Sequence, residues 1–416
     1  MAPARIEIPY GDGKEIVEVQ ERNLGDVIYP REVPNKDEKR TLLGAIQNPV
    51  KSPPLKEFIA GGEKFLVIVN DATRPTPSGR IIEIIYSLLE DKDVKYLVAT
   101  GMHSAPSPEE YVQIFGSVYE RLKPNIHAHD SKNSEMVSLG TSGNGTPLTL
   151  NKMVAEADSI LVISSVEPHY FAGYTGGRKS FLPGVASFDT IERNHKLALS
   201  LDAQALKLEG NPVNEDMEDA MNALTDKRIF SIMVVLDKDH RIAGACAGDL
   251  RESFRRATKI ANQVFVVNMK KRSDVVVAVT AFPYDIDLYQ SQKALDNSKY
   301  AVRDGGIIIL VSACRKGVGP DTFLKLLASA STPREALDKI AQMYKLGYHK
   351  AAKMAEIGLK CKMMAVTKLD PEIARSAHLT PIKSVQQAVD EAIKELGPDS
   401  KVTFMMDAVI TVPKVQ

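Results

Sequence analysis

Lys179 lies in the stretch "GYTGGRKSFLPG" (173–184), between a diglycine and a Pro-Gly. A lysine amine acts as a covalent nucleophile or as the anchor of a cofactor. Flanking glycines open positive φ and let the backbone approach a ligand closely, so the loop reads as built around something bound. It is not a Walker phosphate loop, because Arg178 separates Gly177 from Lys179 where that pattern needs Gly-Lys. A solvated loop lysine is the plain alternative.

Other reactive side chains stand in similar settings. His169 opens the same region in "EPHYFAG", His195 follows in "ERNHKL", and His103 comes after a glycine in "TGMHSAP". Arg74, in "DATRPTP", is stiffened by Pro75 and Pro77, and its guanidinium suits a carboxylate or phosphate. In "DIDLYQSQKAL", Tyr289, Gln290 and Lys293 fall within about a turn, and Gln290 and Lys293 share a face if the segment is helical. Such a face could hold a small carboxylate and its hydroxyl, or simply meet solvent. His127 and His129, in "NIHAHDSKN", alternate at strand spacing and would face one side as a metal pair or as structural residues. His240, His349 and His378 read as surface or packing residues.

The elements that must position these groups alternate as in an α/β protein. An apolar strand at 65–70 runs into the Arg74 loop and a helix, "RIIEIIYSLLE". A strand near 94–99 runs into the His103 loop, where Ser107, Pro108 and Glu110 form a capping-box signature. A strand at 159–165 leads into the His169 and Lys179 loop. Ligands of α/β sheets bind at the carboxyl ends of the strands, so these three junctions belong to one site. The stretch "RIFSIMVVLDKDHRIAGACAG" reads as two strands around a turn, and a second α/β set begins near Ser273. The expected fold class is therefore α/β, with two α/β domains and a substrate and cofactor cleft between them. Residues 1–269 are expected to form the N-terminal cofactor-binding domain and 270–403 the C-terminal one, with a tail at about 404–416 that could pack back on the first or stay with the second.

Composition narrows the partners. Lys plus Arg and Asp plus Glu each number 53, so the formal charge is zero, and no basic run interleaved with aromatics appears. Nucleic acid and anionic membrane are thus poor partners. Apolar runs such as "FLVIVN" are of strand length. No secretory leader is visible, and the three scattered cysteines fit a reduced, cytoplasmic setting.

The set "DATRPTP", "TGMHSAP", "EPHYFAGYTGGRKSFLPG", "NHK" and "YQSQK" resembles the nickel-pincer-nucleotide-dependent lactate racemase family, in order and over roughly the whole chain. The resemblance implies an isomerase that racemises a 2-hydroxy acid by hydride transfer to and from its cofactor. That cofactor is nickel in pyridinium-3,5-bisthiocarboxylic acid mononucleotide, covalently linked to Lys179 with His195 as metal ligand. His103 and His169 resemble the two acid/base residues. Arg74 and Lys293 resemble the carboxylate-binding cations, with Tyr289 and Gln290 lining the substrate pocket. Asp71, Thr73, Arg74, Gly176 and Gly177 fall in the loops expected to hold the cofactor. The implied partners are a small-molecule 2-hydroxy acid and the enzymes of cofactor synthesis and insertion. The sequence departs from the family at Ser104, where a basic residue commonly follows the first histidine. Lactate or another short-chain acid is the favoured substrate, with a malate-like diacid or a sugar acid as alternatives. A zinc hydrolase built on His103, His169 and His195 would leave Lys179 unexplained. A pyridoxal phosphate enzyme would explain Lys179 but needs a ring-nitrogen partner that the sequence does not identify, and a cofactor-carrier protein would keep the loop but make Arg74 and Lys293 dispensable.

Overall fold

The computed structural model describes residues 3–34 and 37–416. Two α/β units emerge, Glu32–Val264 and a second composed of Met1–Arg31 with Phe265–Gln416.

In the first unit a six-stranded sheet runs in the order Ile242–Gly248, Arg228–Leu236, Ser159–Ser165, Lys64–Asn70, Asp93–Ala99, Ile126–Ala128. All neighbours are parallel except the first pair, the hairpin anticipated around "LDKDH". The central strands "KFLVIVN" and "SILVISS" are almost wholly apolar or small because both faces are covered, as a parallel sheet requires. Helix Ser78–Leu89 buries Ile81, Ile82, Ile85 and Leu89, which recur at helical spacing, onto that sheet. Helix Pro108–Phe115 starts at the capping box, with Ser107 and Glu110 bonded in both directions. Asn70 pairs with Ala99 and Val69 with Ile163, so the three strands end at one level and their loops emerge side by side.

The second unit carries a six-stranded parallel sheet, ordered Thr380–Pro381, Lys362–Val366, Val302–Val311, Ser273–Val279, Val402–Met405, Leu24–Ile28. The antiparallel hairpin Ala4–Tyr10 and Gly13–Val19 adds Ile8, Val17 and Val19 to one face, beside helix Val385–Leu396.

This division differs from the expected boundaries in two ways. The first 31 residues group with the C-terminal half, because Leu24–Ile28 pairs with Val402–Met405 and completes that sheet's edge. The tail does not return to the first unit either: "KVTFMMDAVITVP" breaks into two strands, and the second, Val412–Val415, pairs with Val266–Met269. Strand pairing between distant segments leaves no local periodicity, so neither arrangement was legible along the chain.

Candidate active site

The Lys179 loop follows strand Ser159–Ser165, and close backbone contacts fix its shape. Lys179 sits on the short 3-10 turn Gly177–Ser180, and its carbonyl accepts from Gly184 N–H at 3.0 Å. A Cβ on Gly176, whose φ is +82°, would lie 2.6 Å from the Ser165 carbonyl oxygen, and one on Gly184 would lie 2.3 Å from that of Ser180. Neither distance is tolerable, which is why glycine occupies both ends of the loop. Arg178, 1 % exposed, ties the loop down from beneath. Its Nε donates to Asn214 Oδ1, its Nη2 to the Ala172 carbonyl at 3.0 Å, and its guanidinium stacks 4.2 Å from the Phe254 ring centre.

Phe171 gathers the reactive groups around one ring. His169 meets it edge-on with ring centres 4.5 Å apart, His195 lies at 5.2 Å, and Lys179 Nζ stands 5.5 Å from its centre. Lys179 Nζ is 3.3 Å from His169 Nε2. Burial, reinforced by the charges of Arg74 and Arg178, drives the Lys179 amine well below the ordinary lysine range, against the opposing pull of Glu167. A buried amine held neutral is a competent nucleophile. His195 ends helix Phe188–Lys196, anchored one residue earlier by buried Asn194, which donates to the Val213 carbonyl at 3.1 Å. Burial above all pushes the His195 imidazole down to about 3, so it is a neutral nitrogen donor.

The two loops from the neighbouring strands face this cluster's own loop. Gly101 N–H donates to the Gly184 carbonyl at 2.9 Å, joining the His103 loop to the lysine loop. Asp71 Oδ2 lies 2.5 Å from His103 Nδ1, and Thr73 Oγ1 donates to Asp71 Oδ1 at 2.6 Å. Burial opposes ionisation of Asp71, yet the hydrogen bonds from His103 and Thr73 and the charges of His103 and Arg74 outweigh it and lower its carboxyl. A carboxylate on Nδ1 fixes the tautomer with Nδ1 protonated, leaving His103 Nε2 basic on a side chain that is 60 % exposed. His169 has the opposite pattern: its Nδ1 accepts from Ala172 N–H at 3.3 Å, so its proton resides on Nε2. Arg74 Nη1 donates to Glu167 Oε1 at 2.5 Å.

The first unit therefore brings together Asp71, Thr73, Arg74, His103, His169, Gly176, Gly177, Lys179 and His195. Asp71 and Thr73, expected at the cofactor, have their carboxylate and hydroxyl engaged with His103 and with each other. Tyr289, Gln290 and Lys293 lie in the second unit, on the first turns of helix Leu288–Ser298, which Asp287 caps through Gln290 N–H. There Lys293 Nζ donates to Gln290 Oε1 at 2.9 Å, confirming the shared face, and Lys350 Nζ lies 3.3 Å from the Tyr289 ring centre.

His127 and His129 form no metal pair. His127 is exposed on the edge strand, whereas His129, past its end, is fully buried with Nε2 on the Ala186 carbonyl at 2.9 Å and Nδ1 on Asn151 at 3.2 Å. Nor do His103, His169 and His195 make a zinc site: among the described residues no three or more His, Cys, Asp or Glu side chains group as metal ligands. Reading by sequence assigned nothing to Glu167, Phe171 or Arg178, although all three lie inside the quoted motif. An acidic residue two before His169 was the available signal for the first.

Comparison with known proteins finds relatives over nearly the whole chain. The lactate racemase N-terminal domain profile matches residues 10–206, and the lactate racemase C-terminal domain profile matches 267–412. A lactate racemase of Thermoanaerobacterium thermosaccharolyticum is 30 % identical, with 98 % of each chain covered. One of Lactiplantibacillus plantarum is also 30 % identical, over 98 % of this chain and 99 % of that one. The lactate racemase apoprotein structure from the former organism superposes with a TM-score of 0.91, covering 99 % of this chain and all of the other. A Thermotoga maritima protein shares the fold, with a TM-score of 0.65 at 16 % identity, over 88 % of this chain and 99 % of that one.

Proposed function

Because the chain belongs to the lactate racemase family, we propose that it interconverts the enantiomers of lactate or another short-chain 2-hydroxy acid, with His103 and His169 as its proton-transferring pair. The observation that carries this reading is that both rings are oriented through Nδ1, His103 by Asp71 and His169 by the Ala172 N–H, which leaves each Nε2 for proton transfer.

The residues present fit the nickel-pincer nucleotide. Lys179 offers a desolvated amine for a covalent tether, His195 a neutral imidazole for a metal, and the positive-φ glycines a surface for close approach. One protein ligand suffices for a metal that arrives with its other donors. When bound, this group supplies a reversible acceptor and donor of hydride, so the weakly acidic α-hydrogen need not leave as a proton.

The chain's own residues then handle the proton and the carboxylate. His103 Nε2 takes the hydroxyl proton of one enantiomer as the carbinol carbon flattens to a ketoacid. Asp71 keeps that ring in register and stabilises it once charged, the role of a carboxylate behind a catalytic histidine. His169, entering as the imidazolium, returns a proton through Nε2 when the other face is reduced and is left neutral; the roles exchange for the reverse reaction, and exchange with solvent resets both rings. Two histidines are needed because the enantiomers present their hydroxyls on different sides. Arg74 holds the carboxylate throughout, a positioning task. Lys293 and Gln290, with Tyr289, are assigned to substrate binding on the same family resemblance.

The test is coexpression with the cofactor-synthesis enzymes, followed by intact-mass and metal analysis and chiral assay of lactate, for wild type and Lys179→Ala. Expected are nickel and a several-hundred-dalton adduct that both vanish in the variant, with racemisation lost alongside. An unmodified lysine and no racemisation of any 2-hydroxy acid, despite an active cofactor supply, would overturn the reading.

A further inference from the structure

Arg74 and Glu167 join two loops that leave neighbouring strands, and both backbones are held independently of the ion pair. Arg74 N–H donates to the Asp71 carbonyl at 3.2 Å, and two residues on Thr76 Oγ1 bonds Asn70 Oδ1 and Ser165 Oγ, each at 2.9 Å. Glu167 N–H donates to Thr175 Oγ1 at 2.9 Å, while its carbonyl accepts from Thr175 N–H at 2.8 Å. The side chains, 33 % and 27 % exposed, meet at 2.5 Å through Nη1 and Oε1. A guanidinium carries five N–H donors in a rigid fork, so one contact fixes its orientation and leaves donors for a second oxyanion.

We propose that Glu167 is a positioning residue, fixing Arg74 through Nη1 so that its remaining donors form the receptor for a substrate monocarboxylate and setting how tightly that receptor holds it. The inference rests on the reading of Arg74 as the carboxylate-binding residue. Two carboxylates then share one cation, and the internal one weakens the hold on the incoming one by like-charge repulsion. The pair thereby keeps a small hydroxy acid from being held so firmly that its carbinol carbon cannot present the other face. Glu167→Gln keeps an acceptor for Nη1 and removes the charge, whereas Glu167→Ala removes both, so the two variants separate orientation from electrostatics.

The experiment titrates lactate into the cofactor-free protein by ligand-observed NMR for wild type, Glu167→Gln, Glu167→Ala and Arg74→Ala, with thermal melts to verify folding. KM and kcat of the loaded enzymes are measured in parallel. Glu167→Gln is expected to tighten lactate binding roughly tenfold, the scale of one nearby like charge partly screened by solvent, with a lower KM and a reduced kcat. Glu167→Ala is expected to raise KM, with Gln restoring binding relative to Ala. Affinities within twofold of wild type for both Glu167 variants, while Arg74→Ala abolishes binding, would overturn the proposal and leave the reading of Arg74 intact. Undiminished binding in Arg74→Ala would overturn both.

Discussion

His103 Nδ1 lies 2.5 Å from Asp71 Oδ2, although the residues are 32 positions apart on loops from adjacent strands. The register Asn70 opposite Ala99 brings the two loops level, and the carboxylate then selects the ring tautomer. Asp71→Asn keeps the size and loses the charge. In the loaded enzyme it should lower kcat roughly a hundred- to ten-thousand-fold, the range found when a catalytic histidine loses its orienting carboxylate. Chiral assay checks this, and a kcat within threefold of wild type would refute the dyad.

The same carboxyl makes a pH-dependent contribution to stability. Its folded pKa is lowered, despite burial, by the bonds from His103 and Thr73, so the unfolded chain binds the proton first. The contribution is complete above the unfolded value of about 3.9 and is lost as pH falls through the folded value. Urea unfolding of wild type and Asp71→Asn at pH 7 and near pH 3 should therefore show a gap that narrows in acid.

Lys179 has the opposite linkage. Its folded pKa is depressed by burial and by Arg74 and Arg178, so between that value and the unfolded one of about 10.4 the unfolded state carries the extra proton. Stability of the cofactor-free protein rises with pH through this window. Lys179→Met should raise the melting temperature by a few degrees at pH 7, with the gain shrinking toward pH 10. A variant less stable than wild type at pH 7 would show that the amine's contact with His169 outweighs its desolvation.

Gly176 and Gly145 have almost the same φ, +82° and +81°, but only Gly176 has neighbours where a Cβ would stand. Gly145→Ala should cost about 1 kcal/mol from backbone strain alone. Gly176→Ala adds collisions with the Ser165 carbonyl and Val166 and should cost about 3 kcal/mol or more. Chemical denaturation of the two variants separates strain from crowding.

Arg178→Lys tests the support beneath the loop. Lysine cannot reproduce contacts to Asn214, the Ala172 carbonyl and the Phe254 face from one planar group. A loss of about 2–4 kcal/mol is expected, since buried donors and acceptors lose their partners. It should be read from urea unfolding of the cofactor-free protein, where a change below 0.5 kcal/mol would show the buried guanidinium to be dispensable.

Much of the site was legible because its groups sit in short motifs at the ends of strongly apolar strands. "FLVIVN" and "SILVISS" announce buried strands, and parallel strands put their exits on one edge, so Arg74, His103, His169 and Lys179 could be placed together without coordinates. The capping signature at Ser107 was likewise local, and it became a helix start. Partner choice was not legible. Asp71 looked like a cofactor residue because nothing along the chain links it to His103, and His129 looked equivalent to His127 although one ring is buried on Ala186 and Asn151 and the other meets solvent.

The sequence by itself determined the strands, the turns that demand glycine, the reactive side chains and the family to which they belong, because periodicity, φ preference and residue chemistry are properties of neighbours along the chain. Tertiary structure alone decided which carboxylate faces which histidine, that Glu167 occupies Arg74, that Phe171 stands among His169, Lys179 and His195, and that Leu24–Ile28 completes the C-terminal sheet. Those outcomes depend on sheet register and burial between segments from a few to hundreds of residues apart, where hydrogen-bond geometry and desolvation select one partner among many of the same type.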